Sequence, residues 1–143
     1  SRLTALREAI MTPQQKLKWA ILSCAARLNP SMTEPPYPCA DVDSIYEAAE
    51  ETNWDTLSDA RGEVRGGQHE TGLTTPNSRH YESEAVGMQM PDGSWIGWTY
   101  WYGGGKHGCP EEVEWVNDAY DLNCVEEEKM MVVRTFSVPD ITP

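Results

Sequence analysis

Hydrophobic residues recur at helical spacing near the start of the chain. The apolar positions lie three or four residues apart, as on the buried face of an amphipathic helix: Leu17, Ile21, Cys24, Ala25 and Leu28. Thr12 and Gln15 form a capping-box pattern, with Pro13 at the first helical position. Asn29-Pro30 ends the pattern, because proline cannot continue a helix. We therefore predict a helix over residues 13 to about 29.

A second helical pattern follows a proline-rich connector, "PSMTEPPYPCA", at residues 30–40. It covers residues 42 to 51, and its apolar positions are Val42, Ile45, Tyr46 and Ala49. Its outer face is acidic and contains Glu47, Glu50 and Glu51. Such a run is typical of a solvated helix face, and a partner site is the alternative. A short helical turn is predicted around residues 55–61.

The hydrophobic period changes to two at His80, which indicates β-strands. "HYESEAVGMQM" is followed by the turn sequence "PDG" at residues 91–93, and then by "SWIGWTYWY". The second segment is rich in the aromatic and β-branched residues that strands favour. We predict a β-hairpin over residues 80–102. "KMMVVRTFSV", residues 129–138, predicts a further strand that Pro139 ends.

The segment between the hairpin and this last strand predicts a third helix. Pro110 suits its first position, and Glu111 and Glu112 suit the positive end of the helix dipole. The expected inner stripe is Val113, Val116, Ala119 and Tyr120. The resulting order α, α, loop, β, β, α, β indicates an α+β fold. We predict an antiparallel sheet of at least three strands packed against about three helices.

The aromatic strand has bulky residues on both faces. Because successive side chains alternate, one face contains Trp95, Gly97, Thr99 and Trp101, and the other contains Ile96, Trp98, Tyr100 and Tyr102. A strand buried on both faces is one interpretation. The alternative is that Trp98, Tyr100 and Tyr102 form an exposed recognition surface, since Trp and Tyr are enriched among interface hot spots.

The "GGGKHG" sequence that follows this strand resembles no phosphate-binding loop. A Walker sequence requires Ser or Thr after its lysine, whereas here Lys106 is followed by His107. Consecutive glycines permit positive φ angles, so the segment is interpreted as a turn, and close approach to another group is the alternative.

Acidic residues are concentrated in the later part of the chain. Residues 1–40 contain five Lys/Arg and two acids, whereas residues 41–143 contain six Lys/Arg and twenty-one acids, for a net charge of −12. Such a surface repels nucleic-acid phosphates and anionic lipids and attracts basic protein surfaces. We expect no direct nucleic-acid binding and no membrane binding.

The length of 143 residues suits one domain, which we assign to residues 11–143. Residues 1–10 precede Met11-Thr12-Pro13, which resembles a translation start, so they are interpreted as an upstream extension or a cloning remnant. No window of the sequence reaches the roughly 20 apolar residues of a membrane span. We expect a soluble, cytoplasmic protein.

The sequence predicts neither a metal site nor a cofactor. The four cysteines include no CxxC pair and are expected to be reduced thiols: Cys24, Cys39, Cys109 and Cys124. His69-Glu70 does not begin a zinc-binding HExxH motif, because Leu73 occupies the position of the second histidine.

Two catalytic arrangements stay open, although no motif supports either. One is a Cys109 nucleophile with His69 or His80 as its base. The other is an acid and base pair formed by Glu82 and Glu84, which lie on one face of a strand.

Two segments carry a resemblance to a known group of proteins. They are "PDGSWIGWTYWYGGGKHGCPEEVEW" and "EEEKMMVVRTFSV", which fall within residues 80–138. This region resembles small uncharacterised acidic proteins of enterobacterial phages and prophages, in which Glu occupies the position of Cys109. The resemblance implies a phage origin. Together with the expectation of a soluble, cytoplasmic protein, this origin predicts a location in the cytoplasm of the bacterial host. It implies no activity, fold or catalytic residue.

Two functional hypotheses follow. The first is a non-enzymatic phage accessory protein that binds and modulates a host protein with a basic surface, such as a defence nuclease, with DNA mimicry as a special case. Its predicted partner-binding residues are Trp98, Tyr100, Tyr102, Lys106, His107, Glu47, Glu50, Glu51, Glu111, Glu112, Glu114, Glu126, Glu127 and Glu128. The second is a small enzyme or ligand-binding domain with an aromatic pocket around residues 95–107 and His107 as acid or base. The oligomeric state stays open.

Overall fold

The computed structural model describes residues 10–140, so all of the predicted upstream extension except Ile10 lies outside the described residues. The fold is α+β, as predicted. Its helices are α1 (Pro13–Leu28), α2 (Val42–Thr52) and α3 (Trp54–Val64). Its strands are β1 (His69–Glu70), β2 (Glu82–Gln89), β3 (Trp95–Tyr102) and β4 (Tyr120–Leu122). They form an antiparallel sheet in the order β1-β2-β3-β4.

The first helix begins at the predicted capping box. The Thr12 side chain accepts a hydrogen bond from the Gln15 backbone at 3.1 Å, and the Gln15 side chain accepts one from the Thr12 backbone at 2.9 Å. These two bonds satisfy backbone N–H groups that a helix start leaves without partners. The apolar face of α1 packs against α3 and β3, which confirms the predicted core side for Leu17, Ile21, Cys24 and Ala25. Leu28, predicted to lie on the same face, is 46 % exposed at the end of the helix.

The third helix is longer than the short turn predicted around residues 55–61. It covers eleven residues, Trp54–Val64, and buries Leu57 and Ala60 against the other helices. Its polar sequence contains only these two fully buried apolar positions, so the periodic signal is weak. Tertiary packing, rather than local pattern, determines its length.

The predicted hairpin is confirmed. Strand β2 pairs with β3 along eight residues, with Glu82 opposite Tyr102 and Gln89 opposite Trp95. In the turn between them, Ser94 donates backbone and side-chain hydrogen bonds to the Asp92 carboxylate at 2.9 and 2.6 Å. A side chain that bonds the backbone two residues on is typical of a tight turn.

The predicted strand over residues 129–138 is wrong. Residues 123–140 form neither helix nor strand, and the position beside β3 belongs to the short strand β4. The segment has strand-forming side chains, but strand propensity acts only where a neighbouring strand supplies hydrogen-bond partners and apolar contacts. Within residues 10–140 this segment has no such neighbour.

The predicted helix beginning at Pro110 is also wrong. Only a single 3-10 turn, Pro110–Glu112, forms, and the backbone of Val113 is already extended, with φ −67° and ψ 131°. The Gln14 side chain of α1 donates hydrogen bonds to the carbonyl groups of Asn117 and Ala119. These carbonyls therefore have partners outside a helix, and the irregular segment still buries Trp115, Val116 and Ala119.

The core lies between the helices and one face of the sheet. Ile96 and Trp98 of β3 are fully buried there, and Trp98 lies against Trp115 with ring centroids 5.8 Å apart. Helix α1 is the helix that rests on β3 and β4, and α2 packs mainly against α1 and α3. The helices thus cover one half of β3 and leave its C-terminal half partly open.

Candidate functional site

Trp98 lies in the core, so the prediction that it belongs to an exposed surface is wrong. Its side chain is fully buried, and its indole nitrogen donates a hydrogen bond to the Arg65 carbonyl oxygen at 2.8 Å. Arg65 caps the C-terminal end of α3. The bond therefore connects the middle of β3 to the end of a helix, and it leaves Trp98 unable to contact a partner.

Tyr100 and Tyr102 continue the same face of β3 beyond the covering helices. Both are half-buried, and their rings stack with centroids 5.5 Å apart and planes 21° from parallel. Residues two apart in a strand point to the same side, which brings the two rings together. The predicted aromatic surface is thus reduced from three rings to two.

Arg65 fixes one side of this tyrosine pair. Its guanidinium carbon lies 4.9 Å from the Tyr100 ring centroid, in cation–π geometry. One guanidinium nitrogen also donates a hydrogen bond to the Trp101 carbonyl oxygen at 2.6 Å. The Tyr100 ring therefore already contacts the Arg65 cation. The Tyr102 ring lies at the end of the strand.

Three glutamates surround the tyrosines. Glu84 lies opposite Tyr100 and Glu82 opposite Tyr102 in the hairpin register. Glu70 of β1 reaches Glu84, and hydrogen bonding with Glu70, together with the charge of that carboxylate, raises the pKa of Glu84. We call Tyr100, Tyr102, Glu70, Glu82 and Glu84 the tyrosine–glutamate surface.

The electrostatic effect of the glutamates extends to the tyrosine rings. The pKa of Tyr102 is raised, first by desolvation and then by the negative charges of Glu82, Glu84 and Glu70. Negative carboxylates near aromatic rings form an environment that favours a cation. A lysine or arginine side chain of another protein satisfies both parts of this environment.

These glutamates were not among the residues predicted to bind a partner. Glu82 and Glu84 were considered only as a possible acid and base pair, because single strands do not reveal which residues of a hairpin lie opposite each other. The signal was present in the alternation of both strands: Glu82 and Glu84 share a face, as do Tyr100 and Tyr102. The position of Glu70 depends on β1, a strand of two residues, which is too short to show an alternating pattern in the sequence.

Lys106 and His107 lie in an exposed turn just after the tyrosines. Gly103, Gly104 and Gly105 all have positive φ angles, of 80°, 85° and 69°, and a 3-10 turn follows at Gly105–His107. A β-carbon at Gly104 would lie 2.5 Å from a Tyr81 ring carbon, so this position requires glycine for space as well as for conformation. The turn predicted from the glycines is therefore observed.

The remaining predicted acids lie on separate elements. All are exposed: Glu47, Glu50 and Glu51 on α2, Glu111, Glu112 and Glu114 around the 3-10 turn, and Glu126, Glu127 and Glu128 after β4. Two of them, Glu50 and Glu114, lie close enough to Tyr46 for their charges to affect its pKa. Burial raises the pKa of Tyr46, the neighbouring Arg61 opposes that shift, and the charges of both glutamates add to it. The 3-10 turn Pro110–Glu112 also lies against β3, the strand that contains the tyrosines.

The opposite face of the sheet contains a hollow of about 460 Å³ near Trp95. His69 lies beside Trp95, with ring centroids 5.4 Å apart, and Leu73, Leu122 and Val125 complete its apolar lining. His107 is not among the residues that line this hollow. Of the residues 95–107 in the predicted aromatic pocket, Trp95 is the one that lines this hollow.

The described residues contain a buried Cys24 whose protonated thiol is favoured, an exposed Cys109, and no group of metal ligands. Cys24 is buried, and its thiol donates a hydrogen bond to Glu63 at 3.1 Å. Burial and this hydrogen bond raise the pKa of Cys24, which disfavours the reactive thiolate. Among residues 10–140, no three His, Cys, Asp or Glu side chains form a group that could hold a metal ion. In the same residues, the helices are too short or too polar to cross a membrane.

Comparisons with protein-family models, with curated proteins and with solved structures each give no match. The functional inference therefore depends on the geometry and charge of the side chains.

Proposed function

We propose that this chain is a non-enzymatic phage or prophage accessory protein that binds a host protein and modulates it. The contact is made by the tyrosine–glutamate surface, and the host protein contributes lysine or arginine side chains. The observation that carries this proposal is the stacked pair of Tyr100 and Tyr102, half-exposed and flanked by carboxylates at the open end of the sheet.

Two physical effects support the choice of this surface over the other acidic regions. Tyrosines lose little conformational entropy on binding and provide large contact areas, so they dominate many interfaces. A cation over an aromatic ring contributes about 0.5–1 kcal/mol at an exposed site, and a carboxylate strengthens its attraction. Glu50 of α2 lies near Tyr46, but that ring is buried. Glu126 lines the hollow that contains Trp95 and His69 rather than the stacked tyrosine pair.

The charge of the whole chain indicates the class of partner. A net charge of −12 accelerates the approach of basic surfaces and repels nucleic acid. Enzymes that act on nucleic acids, including defence nucleases, carry basic surfaces for their phosphate-rich substrates. An acidic protein that covers such a surface would block substrate binding without any catalysis of its own.

Affinity capture from an enterobacterial lysate tests this proposal when it compares matched variants. The binding variant is Tyr102→Ala combined with Glu82→Gln, and the control is Glu47→Gln combined with Glu51→Gln on α2. We expect the wild type and the control to retain the same basic host protein, released by high salt, and the binding variant to lose it.

Circular dichroism and thermal unfolding must show that both variants are folded. Two results would contradict the proposal. One is equal capture by the wild type and the binding variant, and the other is loss of capture in the α2 control alone. The second result would move the interface to the acidic helix.

A further inference from the structure

The C-terminal part of the described chain contains an exposed apolar segment, residues 129–138, which we call the arm. Its large apolar side chains are 76–103 % exposed: Met130, Met131, Val132, Val133, Phe136 and Val138. Soluble monomers rarely leave a contiguous apolar stretch of this size in water. Exposed segments of high strand propensity also promote aggregation unless they are covered. The arm therefore requires a partner surface.

The arm differs in charge from the rest of the molecule. It contains Lys129 and Arg134 and no acidic residue, a net charge of +2. Residues 11–128 contain seven Lys/Arg and twenty-one Asp/Glu, a net charge of −14. The arm is therefore attracted to the surface of a molecule like the one that carries it.

An apolar hollow lies on the outer face of the sheet, beside the root of the arm. Gly87 and Gly97 are directly opposite each other in β2 and β3, so this part of the face has no side chains of its own. The Leu122 side chain lies over the two glycines, with a methyl carbon 2.8 Å from the β-carbon position of each. His69 and Trp95 form one wall of the hollow, and Leu73 lies 51 % exposed at its rim.

The hollow and the arm fit each other in chemistry. The lining of the hollow is largely apolar, and the carboxylates of Glu70 and Glu126 lie beside it. An arm with apolar side chains and two cations satisfies both features. Within one molecule the arm does not fill the hollow, because Glu126 is the last residue of the described chain that lines it and the apolar side chains of the arm are exposed to solvent.

We propose that the arm of one molecule docks in the outer-face hollow of a second copy, and that the exchange is reciprocal. Phe136 or its apolar neighbours enter the hollow beside Trp95, and the two arm cations face the carboxylates at its rim. Glu70 belongs to the tyrosine–glutamate surface and also lines the hollow, so the two sites share this residue at the edge of the sheet. The other residues of the hollow lie outside that surface, and the dimer proposal does not rest on the proposed host binding.

Sedimentation equilibrium of the full chain and three variants tests this dimer. Phe136→Glu disrupts the arm, and Leu73→Glu disrupts the hollow at an exposed position. Trp54→Glu is the matched control, because Trp54 of α3 is 50 % exposed and lies outside the hollow. Measurements cover concentrations from about 1 μM to about 100 μM.

We expect the wild type and Trp54→Glu to dimerise, and each of the other two variants to dimerise at least tenfold more weakly. An equimolar mixture of Phe136→Glu and Leu73→Glu should recover a heterodimer, because one intact arm and one intact hollow remain. A monomeric wild type at the highest concentration would overturn the proposal. So would unchanged dimerisation of both variants, or arm amides whose hydrogen exchange is slow and independent of concentration, since that shows docking within one molecule.

Discussion

Trp98 donates its indole hydrogen to the backbone carbonyl of Arg65 at 2.8 Å, and this bond connects the buried part of β3 to the C-terminal end of α3. The carbonyl of Arg65 is fixed from the core, while its guanidinium lies over the ring of Tyr100. A buried aromatic residue thus positions the cation that borders the tyrosine–glutamate surface. The core and the proposed interface are consequently coupled through one arginine.

The first prediction compares two buried tryptophans. Trp115, which contacts Trp98, has an indole nitrogen without a hydrogen-bond partner among the described residues. Trp98→Phe leaves the Arg65 carbonyl without its donor, whereas Trp115→Phe removes a buried donor that had no acceptor. We expect Trp98→Phe to lower the free energy of unfolding by about 1–2 kcal/mol more than Trp115→Phe does. Urea denaturation measures the difference, and equal losses would contradict the role of the bond.

The second prediction concerns the glycine pair on the outer face of the sheet. A β-carbon at Gly97 would lie 2.8 Å from side-chain carbons of both Leu122 and Tyr120. Gly97→Ala should therefore destabilise the protein by about 1–3 kcal/mol, through overpacking against β4.

Gly62→Ala is the matched control for this substitution. Gly62 lies in α3 with nothing within 4 Å of its β-carbon position and without a positive φ. The same substitution there should stabilise the protein by about 0.5–1 kcal/mol, because alanine favours a helix. Thermal unfolding of both variants should give shifts of opposite sign, and a neutral Gly97→Ala would show that β4 is not packed as described.

The third prediction is the pH dependence of the tyrosine–glutamate surface. The pKa of Glu84 is raised in the folded state by hydrogen bonding with Glu70 and by its charge. The folded state therefore binds more protons than the unfolded state between the ordinary and the raised pKa of Glu84. Stability from this site is present at low pH and is lost as pH rises through that window.

Glu84→Gln should remove this pH dependence and increase the melting temperature at neutral pH. Glu82→Gln removes the same charge without disturbing the hydrogen bonding between Glu84 and Glu70, so it serves as the control. Melting temperatures measured from acid to neutral pH should converge for wild type and Glu84→Gln at low pH and diverge as pH rises. Curves that stay parallel would contradict the coupling of the two glutamates.

Several parts of the fold could be predicted from local sequence. Helix α1 has a capping box and a periodic apolar stripe, and the hairpin has alternating residues around a strong turn. Each of these signals involves residues close together in the sequence, and the capping box and the hairpin both form where the signals predict them. The fold class followed from the order of such elements.

The failed predictions concern segments whose structure depends on distant residues. Residues 129–138 have the composition of a strand, yet a strand requires a neighbour that the sequence does not specify. The segment after Pro110 has a helix-like start, but its carbonyls bond with Gln14, more than one hundred residues earlier. Long-range contacts of this kind carry no local pattern.

The candidate site was predictable only in part, because its composition follows from local sequence and its burial depends on long-range contacts. The aromatic richness of β3 identified Tyr100 and Tyr102, but alternation alone assigned Trp98 to the same face without showing where the helices end. Alternation along β2 places Glu82 and Glu84 on one face, but only the hairpin register and the short strand β1 show that they and Glu70 lie beside the tyrosines. Trp98, Tyr100 and Tyr102 share one face by alternation, and only their burial distinguishes the core residue from the two surface residues.

The location of cation binding tests the central claim most directly. Backbone and tyrosine side-chain chemical shifts, measured by NMR during titration with a short poly-arginine peptide, report which residues the peptide contacts. We predict saturable shifts centred on Tyr102, Glu82 and Glu84, with smaller changes at the glutamates of α2 and at residues 126–128. Shifts of equal size on every acidic segment, or shifts centred on residues 126–128, would contradict a specific tyrosine–glutamate surface.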